Sequence, residues 1–594
     1  TGGSAPPGAF HRRMEVQAHM ENREIARLLG ETADLMEIAA EDPFRIRSYR
    51  NAAGVIENHP ERIMDILDDP SRKVTDIAGI GKGLAAVLAE IRQRGSFERR
   101  DQLLERYPPT ALELLKIQGL GPKTIALLWE HYRVSTIDDL ERICREQKLR
   151  VLPRLGAKLE EKILRSIAHY RQSAGRFLLD FAAEVAEGLT HYLKGTPGVE
   201  QITPAGSYRR GKETVGDLDL LVVGPGAPAA LERFVTYPGI GEILAKGANK
   251  ASAKVGSPAI QVDVRALAME SYGAALQYFT GSKDHNVALR TRCLKLGYTL
   301  NEYGLFRLEG EVKVAGESEE EVYRKLGLAW IPPELRENQG EIEAASEGRL
   351  PRLVEHREIR GDLHVHTSES DGRASLEEMA EAARQRGYEY LAITDHSKAL
   401  AMANGLDETR AVALARQVRE VNRRGLGIHI LAGIECDIRK DGAMDLADSA
   451  LAELDVVIGS IHSYMNLESS EMTDRLLRAL ENPYLRILGH PTGRLLLVRD
   501  RFPFDFDQVA REAARRGVYF EISAAPERLD LYDSLLRAAK ARGVRFVIST
   551  DAHHPKHLDN MRYGVTMARR GWLEAADIVN TLPLAQFKEA LHRS

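Results

Sequence analysis

The stretch AGSYRRGKETVGDLDLLV, residues 205–222, decides the fold of the first half of the chain. Its second part predicts a strand in which Asp217 and Asp219, two residues apart, project from one face. A third acid, Asp263, lies in the apolar run AIQVDVRAL, where a solvated charge would be out of place. Three acids on such strands require protons or cations. Two Mg²⁺ ions, or Mn²⁺ in their place, would satisfy them: one would activate an attacking 3′-hydroxyl and the other would hold a triphosphate.

Upstream of these acids, the same stretch offers groups that bind phosphate. Gly206 and Ser207 provide backbone N–H and hydroxyl donors, and Arg210 can neutralise developing charge. Gly216 directly precedes the paired acids. A strand with solvent-facing aspartates after a basic turn is the alternative interpretation, but the combination of these residues with Asp263 favours a nucleotidyl-transfer site. This block, from about Arg176 to LAWIPPEL, has an α+β pattern.

Before that block, about residues 15–175 show apolar residues three and four apart, which predicts an all-α region. A short Gly-x-Gly pattern recurs in it and resembles a helix-hairpin-helix, with a weaker third copy at Gly156. The glycines permit a tight turn, and the helix that follows presents free N–H groups to a nucleic-acid phosphate. A helix corner with a glycine C-cap is the alternative. The residues of the two good copies are Gly79, Gly81, Lys82, Gly119, Gly121 and Lys123.

The charge of the chain is uneven. The 594 residues contain 82 Lys+Arg and 87 Asp+Glu, a net charge of −5 that by itself argues against a uniformly basic nucleic-acid binder. Residues 71–175, however, contain 20 basic and 13 acidic residues. The footprint expected for nucleic acid is therefore local to the helical region.

From Ile359 onward, seven short apolar strands alternate with helical segments. This pattern predicts a parallel sheet closed into a distorted (β/α)7 barrel, with an open doubly wound sheet as the alternative. Nearly every strand ends in a histidine or an acid, and in a barrel these ends meet at one face. Nine ligands are expected there: His364, His366, Asp371, His396, Glu435, His462, His490, Asp551 and His553.

Imidazoles and carboxylates in this proportion suit Zn²⁺ or Mn²⁺. Asp395 is expected to orient a ligand, and Cys436 to be a small buried residue rather than a ligand. Cys144, Cys293 and Cys436 lie far apart and form no C-x-x-C pair, so neither a disulfide framework nor a thiolate zinc site is expected. With no apolar run of membrane-spanning length and no signal peptide, we expect a cytoplasmic protein that does not enter membranes.

Residues 15–336 resemble a family X DNA polymerase, in the order helix-hairpin-helix, G-S…R…G-D-L-D, V-D-V-R, YFTGS and LNEYGLF. The resemblance implies that Ser207 and Arg210 contact the incoming triphosphate and that the three aspartates bind two metals. It also implies contacts to the nucleotide or template that the spacing alone does not give. In YFTGS, the wall against the deoxyribose would comprise Tyr278, Phe279 and Gly281, and beyond it Asn286 and Arg290 would touch the nucleotide and template. Core packing is the alternative for the two aromatic residues.

Two positions depart from the family pattern. Val87 stands where members with lyase activity carry a Schiff-base lysine, so we predict that this activity is absent. Gln261 stands two positions before Asp263, where the vertebrate repair members have a basic residue, which leaves the activation of the 3′-hydroxyl open.

Residues 359–580 resemble the polymerase and histidinol phosphatase (PHP) domain in the motifs DLHVHT, TDH, GIE with SIHS, and GHPT with TDAH. The resemblance implies up to three Mn²⁺ or Zn²⁺ ions, with His364 and Asp551 among the catalytic ligands. One ion would take His364, His366, Glu435 and Asp551, a second Glu435, His462 and His490, and a third Asp371, His396 and His553. It also implies 3′→5′ exonuclease activity and a related 3′-end or abasic-site phosphodiesterase activity.

We therefore predict a multidomain polymerase that fills short gaps in DNA repair, joined to a metal-dependent phosphodiesterase. Its partners would be gapped or primer-template DNA and deoxynucleoside triphosphates, and we expect a monomer. A template-independent nucleotidyltransferase, a non-catalytic PHP scaffold and a small-molecule phosphatase are the alternatives. The predicted division is a disordered tail at 1–14, a DNA-binding helical domain at 15–100, fingers at 101–175, a palm at 176–268, a thumb at 269–336, a linker at 337–357 and the PHP domain at 358–594.

Overall fold

The computed structural model describes residues 20, 22–57, 59, 61–117, 119–153, 155–173 and 175–592. The tail predicted at residues 1–14 lies outside this part of the chain. The chain forms two compact units that divide between residues 174 and 175. Among the described residues, no helix combines the length and the apolar character that crossing a bilayer requires.

The first unit is all-helical, as predicted, because leucine and isoleucine recur at helical spacing and bury one face of each helix. Gly79 and Gly119 adopt φ of 90° and 101°, which a residue with a side chain rarely does. Each opens a short turn into a further helix. The α-helices of this unit are Asn22–Ile38, Pro43–Glu57, Ile63–Asp68, Lys82–Arg94, Glu98–Arg106, Pro122–Tyr132, Ile137–Arg145 and Ala157–Ser173, with 3₁₀ segments at Val74–Asp76, Pro109–Lys116 and Leu149–Val151.

The second unit begins with a five-stranded sheet in the order β2-β4-β7-β6-β5. β4 and β7 are parallel, and the other neighbours are antiparallel. Helices Leu179–Lys194 and Ala227–Phe234 cover one face with alanine, leucine and phenylalanine. The strands of this region are β1 (Phe177–Leu178), β2 (Gln201–Pro204), β3 (Thr214–Val215), β4 (Asp217–Val223), β5 (Ile240–Lys246), β6 (Lys250–Val255) and β7 (Ile260–Leu267).

A smaller sheet and several helices follow, in the region predicted to be the thumb. The sheet runs β10-β9-β8, with β8 at Tyr298–Asn301, β9 at Gly304–Arg307 and β10 at Lys313–Ala315. Ser282 starts the helix Lys283–Lys295 by accepting a hydrogen bond from the backbone N–H of His285. The other α-helices here are Tyr272–Thr280, Glu319–Lys325 and Glu341–Ser346, whereas the short helix Gly206–Arg209 follows β2 in the preceding sheet region.

The segment at 337–357, predicted to be a linker, is instead packed into the thumb. Ile342, Ala345 and Leu353 lie in the core of the thumb. The buried carboxylate of Glu341 lies 2.5 Å from Nδ1 of the buried His285. The Pro/Glu/Gly-rich composition indicated a connection, but these apolar residues fasten the segment to its neighbour.

The last part forms the predicted barrel, in which seven parallel strands follow one another in sequence order. A bridge between Val365 and Ala552 brings the last strand to the first, which excludes the open-sheet alternative. The strands are nearly continuous apolar runs because helices cover their outer faces. They are β11 (Gly361–Val365), β12 (Tyr390–Ile393), β13 (His429–Asp437), β14 (Val456–Ser460), β15 (Leu485–Leu488), β16 (Tyr519–Ser523) and β17 (Phe546–Ser549).

The helices of the barrel lie between and after these strands. The α-helices are Leu376–Gln385, Glu408–Arg424, Asp448–Leu451, Ser469–Leu480, Phe506–Arg516, Asp533–Lys540, Met561–Arg570 and Leu584–His592.

Candidate active sites

The three predicted aspartates come together on the parallel pair β4 and β7. Asp219 is the register partner of Asp263, and Asp217 is the partner of Gln261. Partners on adjacent strands project to the same side of a sheet, and residues two apart on one strand do so as well. All three carboxylates therefore lie on one face of the sheet.

The charges of this cluster indicate that it would accept cations. Burial and the nearby charge of Asp217 raise the pKa of Asp219 to about 6. Burial would also raise the pKa of Asp263, but the Nζ of Lys250, 2.6 Å from its Oδ2, helps to lower it instead. Crowded carboxylates that only partly find basic partners fit Mg²⁺ or Mn²⁺, which prefer oxygen ligands.

The predicted phosphate-binding turn lies directly against these acids. Gly206 has φ of 64°, and a Cβ on it would lie 3.2 Å from Oδ2 of Asp219, so the position requires glycine. The backbone N–H of Ala205 donates to the carbonyl of Asp219 at 2.8 Å. Ser207 follows half-buried, and Gly216 lies directly before β4. The sequence pattern thus places its donors beside the carboxylates.

Arg210 points away from open solvent and is already engaged. Its Nε donates to Oε1 of Glu337 at 3.0 Å, and its Nη1 donates to the carbonyl of Thr280 at 2.7 Å. A triphosphate that reached Arg210 would therefore compete with a carboxylate.

The aromatic pair of the thumb lies beside the carboxylates. The rings of Tyr278 and Phe279 meet edge to face at 5.1 Å, and both side chains are half-buried. The guanidinium of Arg265 lies 4.4 Å from the centre of the Phe279 ring and 3.9 Å from Oδ1 of Asp219. Arg265, which the sequence did not single out, thus connects the aromatic wall to the acids.

Asn286 closes the turn that follows this pair. Its Nδ2 donates to the carbonyls of Tyr278 and Gly281, and its Oδ1 accepts from Gln277. A Cβ on Gly281 would lie 2.4 Å from Oδ1 of Asn286. Both ends of the amide are therefore used within the protein, whereas Arg290 remains exposed.

In the barrel, all nine predicted ligands lie at the carboxyl ends of strands or in the loops that follow. Their ligating atoms form three overlapping groups, and within each group these atoms lie within 4.8 Å of one another. The groups are His366, Asp371, His396 and His553; His364, His366 and Asp551; and His396, Glu435 and His462.

These groups differ in detail from the partition that the sequence predicted. His396 approaches Glu435 as well as Asp371, with Nδ1 2.7 Å from Oε2 of Glu435. His490, predicted beside Glu435 and His462, lies outside the three groups, although its Nε2 is 3.0 Å from Oε1 of Glu435. The carboxylate of Glu435 thus contacts both His396, through Oε2, and His490, through Oε1.

Several buried atoms of this cluster make no hydrogen bond of acceptable geometry, even where, as for Nδ1 of His396 and Oε2 of Glu435, a polar atom lies close by. Burying an unpaired polar atom costs free energy, and a bound cation would remove that cost. The donors are imidazoles and carboxylates, which suits Zn²⁺ or Mn²⁺. The atoms are Nε2 of His364, Nδ1 of His366, Nδ1 of His396, Nδ1 of His490 and Oε2 of Glu435.

The cluster strongly perturbs the protonation of its members. Burial would raise the pKa of Glu435, but the neighbouring imidazoles of His364 and His462 hold it well below its usual range. Burial and the neighbouring His553 lower the pKa of His366 to about 3. His366 is therefore neutral near pH 7, the form in which histidine binds metal.

Around the ligands lie acids that orient them, and sequence reasoning missed two of these. Glu521 lies with Oε1 2.7 Å from Nδ1 of His364, and Asp437 lies with Oδ1 3.0 Å from Nδ1 of His462. Glu521 sits in the apolar run YFEIS, the same signal that drew attention to Asp263. Asp395, predicted to orient a ligand, accepts hydrogen bonds from Thr367 in the loop that leads to Asp371.

A cation beside the cluster was also missed. Nε of Arg528 lies 3.9 Å from Oδ2 of Asp551, and its buried Nη1 has no hydrogen-bond partner. An anionic group bound at the cluster could therefore be met by this guanidinium. Cys436 is buried as predicted, and its thiol donates to Asp445 at 2.9 Å.

In the helical unit, Gly81 and Gly121 are the N-caps of helices Lys82–Arg94 and Pro122–Tyr132. Lys82 and Lys123 are exposed in the first turns of these helices. Val87 is half-buried and packs against the apolar core of the unit. The positive ends of both helices thus face outward beside a lysine.

Family models match along most of this architecture. A helix-hairpin-helix domain matches residues 20–97, a SAM-like helix-hairpin-helix tandem residues 111–168, the DNA polymerase beta thumb residues 275–337, and the PHP domain residues 362–525. The fold is therefore that of helix-hairpin-helix domains followed by a polymerase-type palm and thumb and a PHP barrel.

Among curated proteins, the chain is 37% identical over 577 residues to "DNA polymerase/3'-5' exonuclease PolX" of Bacillus subtilis (strain 168), which covers 97% of this chain and 100% of that protein. The chain belongs to the family X DNA polymerases that carry a C-terminal PHP domain.

Two kinds of partial similarity accompany this one. A "probable phosphatase" of Acetivibrio thermocellus is 30% identical over 203 residues, covering 32% of this chain and 78% of that protein. A solved structure, Leishmania infantum polymerase beta in a ternary complex, matches 38% of this chain and 99% of its own, at 23% identity and a TM-score of 0.26.

Proposed function

We propose that the chain is a DNA-directed DNA polymerase that fills short gaps during repair and that its barrel removes nucleotides from DNA 3′ ends. The observation that carries the polymerase is the register of β4 and β7, which brings Asp217, Asp219 and Asp263 to one face beside Gly206. The full-length similarity to a protein named for both activities supports the pairing.

In the polymerase site, the three aspartates would hold two Mg²⁺ or Mn²⁺ ions. Such ions lower the pKa of the primer 3′-hydroxyl and neutralise charge on a triphosphate. Ser207 would donate to the triphosphate, with Gly206 and Gly216 allowing close approach of the backbone. Arg210 would leave Glu337 to bind phosphate, and Tyr278, Phe279 and Gly281 would exclude a ribose 2′-hydroxyl. Asn286 and Arg290 would face the nucleotide and template.

In the barrel, the nine ligands would hold up to three Mn²⁺ or Zn²⁺ ions. Such ions supply an activated water and a clamp for a phosphodiester. The buried imidazole and carboxylate atoms of the cluster that make no hydrogen bond support this assignment. We assign His364 and Asp551 as catalytic ligands, Glu521 and Asp437 as groups that orient histidines, and Arg528 as a contact to the scissile phosphate.

The two helix-hairpin-helix copies would hold the DNA backbone without reading bases. We retain residues 15–100 and 101–175 as DNA-binding domains, 176–268 as palm, 269–336 as thumb and 358–594 as PHP domain. We also propose that the protein acts as a cytoplasmic monomer. We further propose that it lacks lyase activity, because Val87 occupies the position of the Schiff-base lysine.

A second candidate for the barrel is hydrolysis of small phosphomonoesters. The similarity of its sequence to a protein named as a probable phosphatase favours this candidate. The two candidates differ in substrate, because a phosphatase would turn over a free phosphomonoester in preference to an internucleotide bond.

The test is a primer-extension and degradation assay on gapped DNA with Mg²⁺ or Mn²⁺. Three full-length proteins are needed: the parent, Asp217→Asn/Asp219→Asn, and His364→Ala. We expect the first variant to lose extension by at least about a thousandfold and keep degradation, because it loses two metal ligands. His364→Ala should lose degradation and keep extension.

Four results would contradict the proposal. Extension that survives in Asp217→Asn/Asp219→Asn would remove the palm assignment. Degradation that survives in His364→Ala would make the barrel a scaffold. Turnover of p-nitrophenyl phosphate without release of nucleotides from DNA would favour the phosphatase. Products independent of template sequence would indicate a template-independent enzyme.

A further inference from the structure

The palm turn that carries Ser207 and Arg210 rests directly on a helix of the barrel, Met561–Arg570. Gly211, with φ of 66°, lies so close to this helix that a Cβ on it would come within 2.0 Å of Cγ2 of Thr566. At the end of the same turn, Oε1 of Glu213 lies 3.2 Å from Nη1 of Arg494, another residue of the barrel. The barrel therefore packs directly against the phosphate-binding turn.

Arg570, at the end of this helix, reaches the partners of Arg210. Its Nη1 donates to Oε1 of Glu337 at 3.1 Å and to the backbone carbonyl of Arg210 at 2.9 Å. The same Oε1 of Glu337 accepts from Nε of Arg210 at 3.0 Å. One carboxylate oxygen is thus shared between an arginine of the palm and an arginine of the barrel.

The environment fixes the charge of this trio. The Arg570 side chain is 1% exposed, and its other terminal nitrogen donates to Asp533. Burial alone would lower the pKa of Arg570, but the neighbouring carboxylates of Asp533 and Glu337 raise it. Burial alone would raise the pKa of Glu337, but the guanidinium groups of Arg210 and Arg570 lower it. A buried carboxylate left without a cationic partner would be costly.

We propose that Arg570 of the barrel is a positioning residue for nucleotide binding in the palm, acting through Glu337 on Arg210. The inference rests on the proposed role of Arg210 as a triphosphate ligand. Arg210 must exchange Glu337 for a phosphate when nucleotide enters. Arg570 keeps Glu337 paired after Arg210 leaves, which lowers the cost of the exchange.

Without Arg570, the carboxylate would depend on Arg210. The Nζ of Lys212 lies 4.0 Å from Oε1 of Glu337, beyond hydrogen-bond distance. Glu337 would then hold Arg210 more firmly and withhold it from the triphosphate. The barrel would in this way set the nucleotide affinity of the palm, although Arg570 is neither a ligand of the metal clusters nor a contact of the nucleotide.

The experiment uses the full chain with Arg570→Met. Binding of dTTP to the protein on gapped DNA is measured directly with Ca²⁺, which supports binding rather than turnover, and KM and kcat for dTTP are measured with Mg²⁺. We expect Kd and KM for dTTP to rise about tenfold, the effect of one charged hydrogen bond. We expect kcat and the degradation of DNA 3′ ends to change less than about twofold, since the metal ligands keep their contacts.

Two further variants separate positioning from loss of structure. Arg569→Met breaks the neighbouring bridge from the same helix, in which Nε of Arg569 lies 2.6 Å from Oε1 of Glu334, and it should leave dTTP binding unchanged. Glu337→Gln/Arg570→Met removes the carboxylate that would trap Arg210, so dTTP affinity should return toward that of the parent. Thermal melting of all variants shows whether they are equally folded.

The outcomes are distinct. A parent that extends primers while Arg570→Met binds dTTP normally overturns the inference and leaves the polymerase proposal intact. An equal loss in Arg569→Met, or no recovery in the double variant, shows that Arg570 only supports the fold and also overturns it. If the parent binds dTTP with the expected pattern but extends no primer, the inference holds and the polymerase proposal fails. A parent that binds no dTTP overturns both.

Discussion

Nδ1 of His364 lies 2.7 Å from Oε1 of Glu521, a residue 157 positions later in the chain. Oε2 of the same carboxylate accepts the backbone N–H of His490 at 2.6 Å. Glu521 therefore fixes the ring of one ligand and the backbone of another, and it directs Nε2 of His364 toward Glu435 and Asp551. A carboxylate behind a metal-binding histidine sets its tautomer and raises its basicity.

We predict that Glu521→Gln weakens metal binding by the barrel about 10- to 100-fold, because the amide cannot replace the carboxylate as an acceptor at both positions. Isothermal titration of the metal-free protein with Mn²⁺ measures this change. Glu420→Gln, on the exposed face of the helix Glu408–Arg424, is the matched control. Equal affinities in the parent and Glu521→Gln would show that Glu521 does not support the metal ligands.

Arg528 makes a different prediction, because it lies beside the cluster without being a ligand. Its partnerless Nη1 indicates a group available to an anion. We expect Arg528→Met to raise KM for a DNA 3′ end about tenfold or more, while metal content stays equal to that of the parent. Steady-state degradation and metal analysis check the two halves of this expectation, with the exposed Arg511→Met as control. A parallel fall in bound metal would assign Arg528 to the cluster itself.

Much of the fold and most of the ligands followed from local patterns. The seven barrel strands are nearly continuous apolar runs, and each predicted ligand lies near the end of one or follows it, so their convergence could be inferred without any tertiary contact. Asp217, Asp219 and Asp263 were predicted because acids inside apolar strands require compensation. Glu521 carried the same signal in YFEIS, and its partner could not be named because nothing in a strand shows which residue 157 positions away faces it.

Contacts between domains carried no periodic signal at all. Glu337 and Arg570 are 233 residues apart, and they meet only because the barrel helix packs under the palm turn. The segment 337–357 was likewise interpreted from composition, whereas its place depends on three apolar side chains and on Glu341 reaching His285. Which charged residues pair depends on how the domains pack, and that packing cannot be read from a single sequence.

The close contact at Gly211 predicts a clash with the barrel. We expect Gly211→Ala to lower the free energy of unfolding by about 2–4 kcal/mol, from overpacking against Thr566 together with the positive φ. Gly297→Ala is the matched control, because it has φ of 78° and open space around it, and it should cost only about 1–2 kcal/mol. Chemical denaturation measures both. Gly211→Ala/Thr566→Ala should recover the difference, and a failure to recover it would mean that the helix does not lie against the turn.

Glu319 predicts how stability depends on pH. Burial would raise its pKa, but Arg336 and Arg209 outweigh burial and lower it to about 2 from an ordinary value of 4.5. A lowered pKa in the folded state stabilises the protein above pH 4.5, and this stabilisation is lost as the pH falls below that value. The shift corresponds to about 3 kcal/mol at neutral pH.

The parent should therefore melt well above Glu319→Gln at pH 7, and the difference should narrow as the pH falls from about 5 toward 2, between the ordinary and the folded-state pKa. Differential scanning calorimetry at several pH values measures it, with the exposed Glu320→Gln as a control expected to follow the parent. A difference that stays constant with pH would mean that Glu319 stabilises the thumb by packing rather than by its charge.

The two hairpins predict how DNA binding responds to salt. Lys82 and Lys123 each lie in the first turn of a helix whose N-cap is glycine, so each adds a charge to backbone donors that already favour a phosphate. We expect Lys82→Ala and Lys123→Ala each to weaken binding to any DNA sequence and to reduce the slope of log K against log salt by about one. Fluorescence anisotropy at several salt concentrations measures the slope, and Lys588→Ala, on the last helix of the barrel, controls for loss of one positive charge. An unchanged slope in both hairpin variants would show that neither lysine contacts a phosphate, because such a contact releases a counterion. The glycine turns would then be helix corners only.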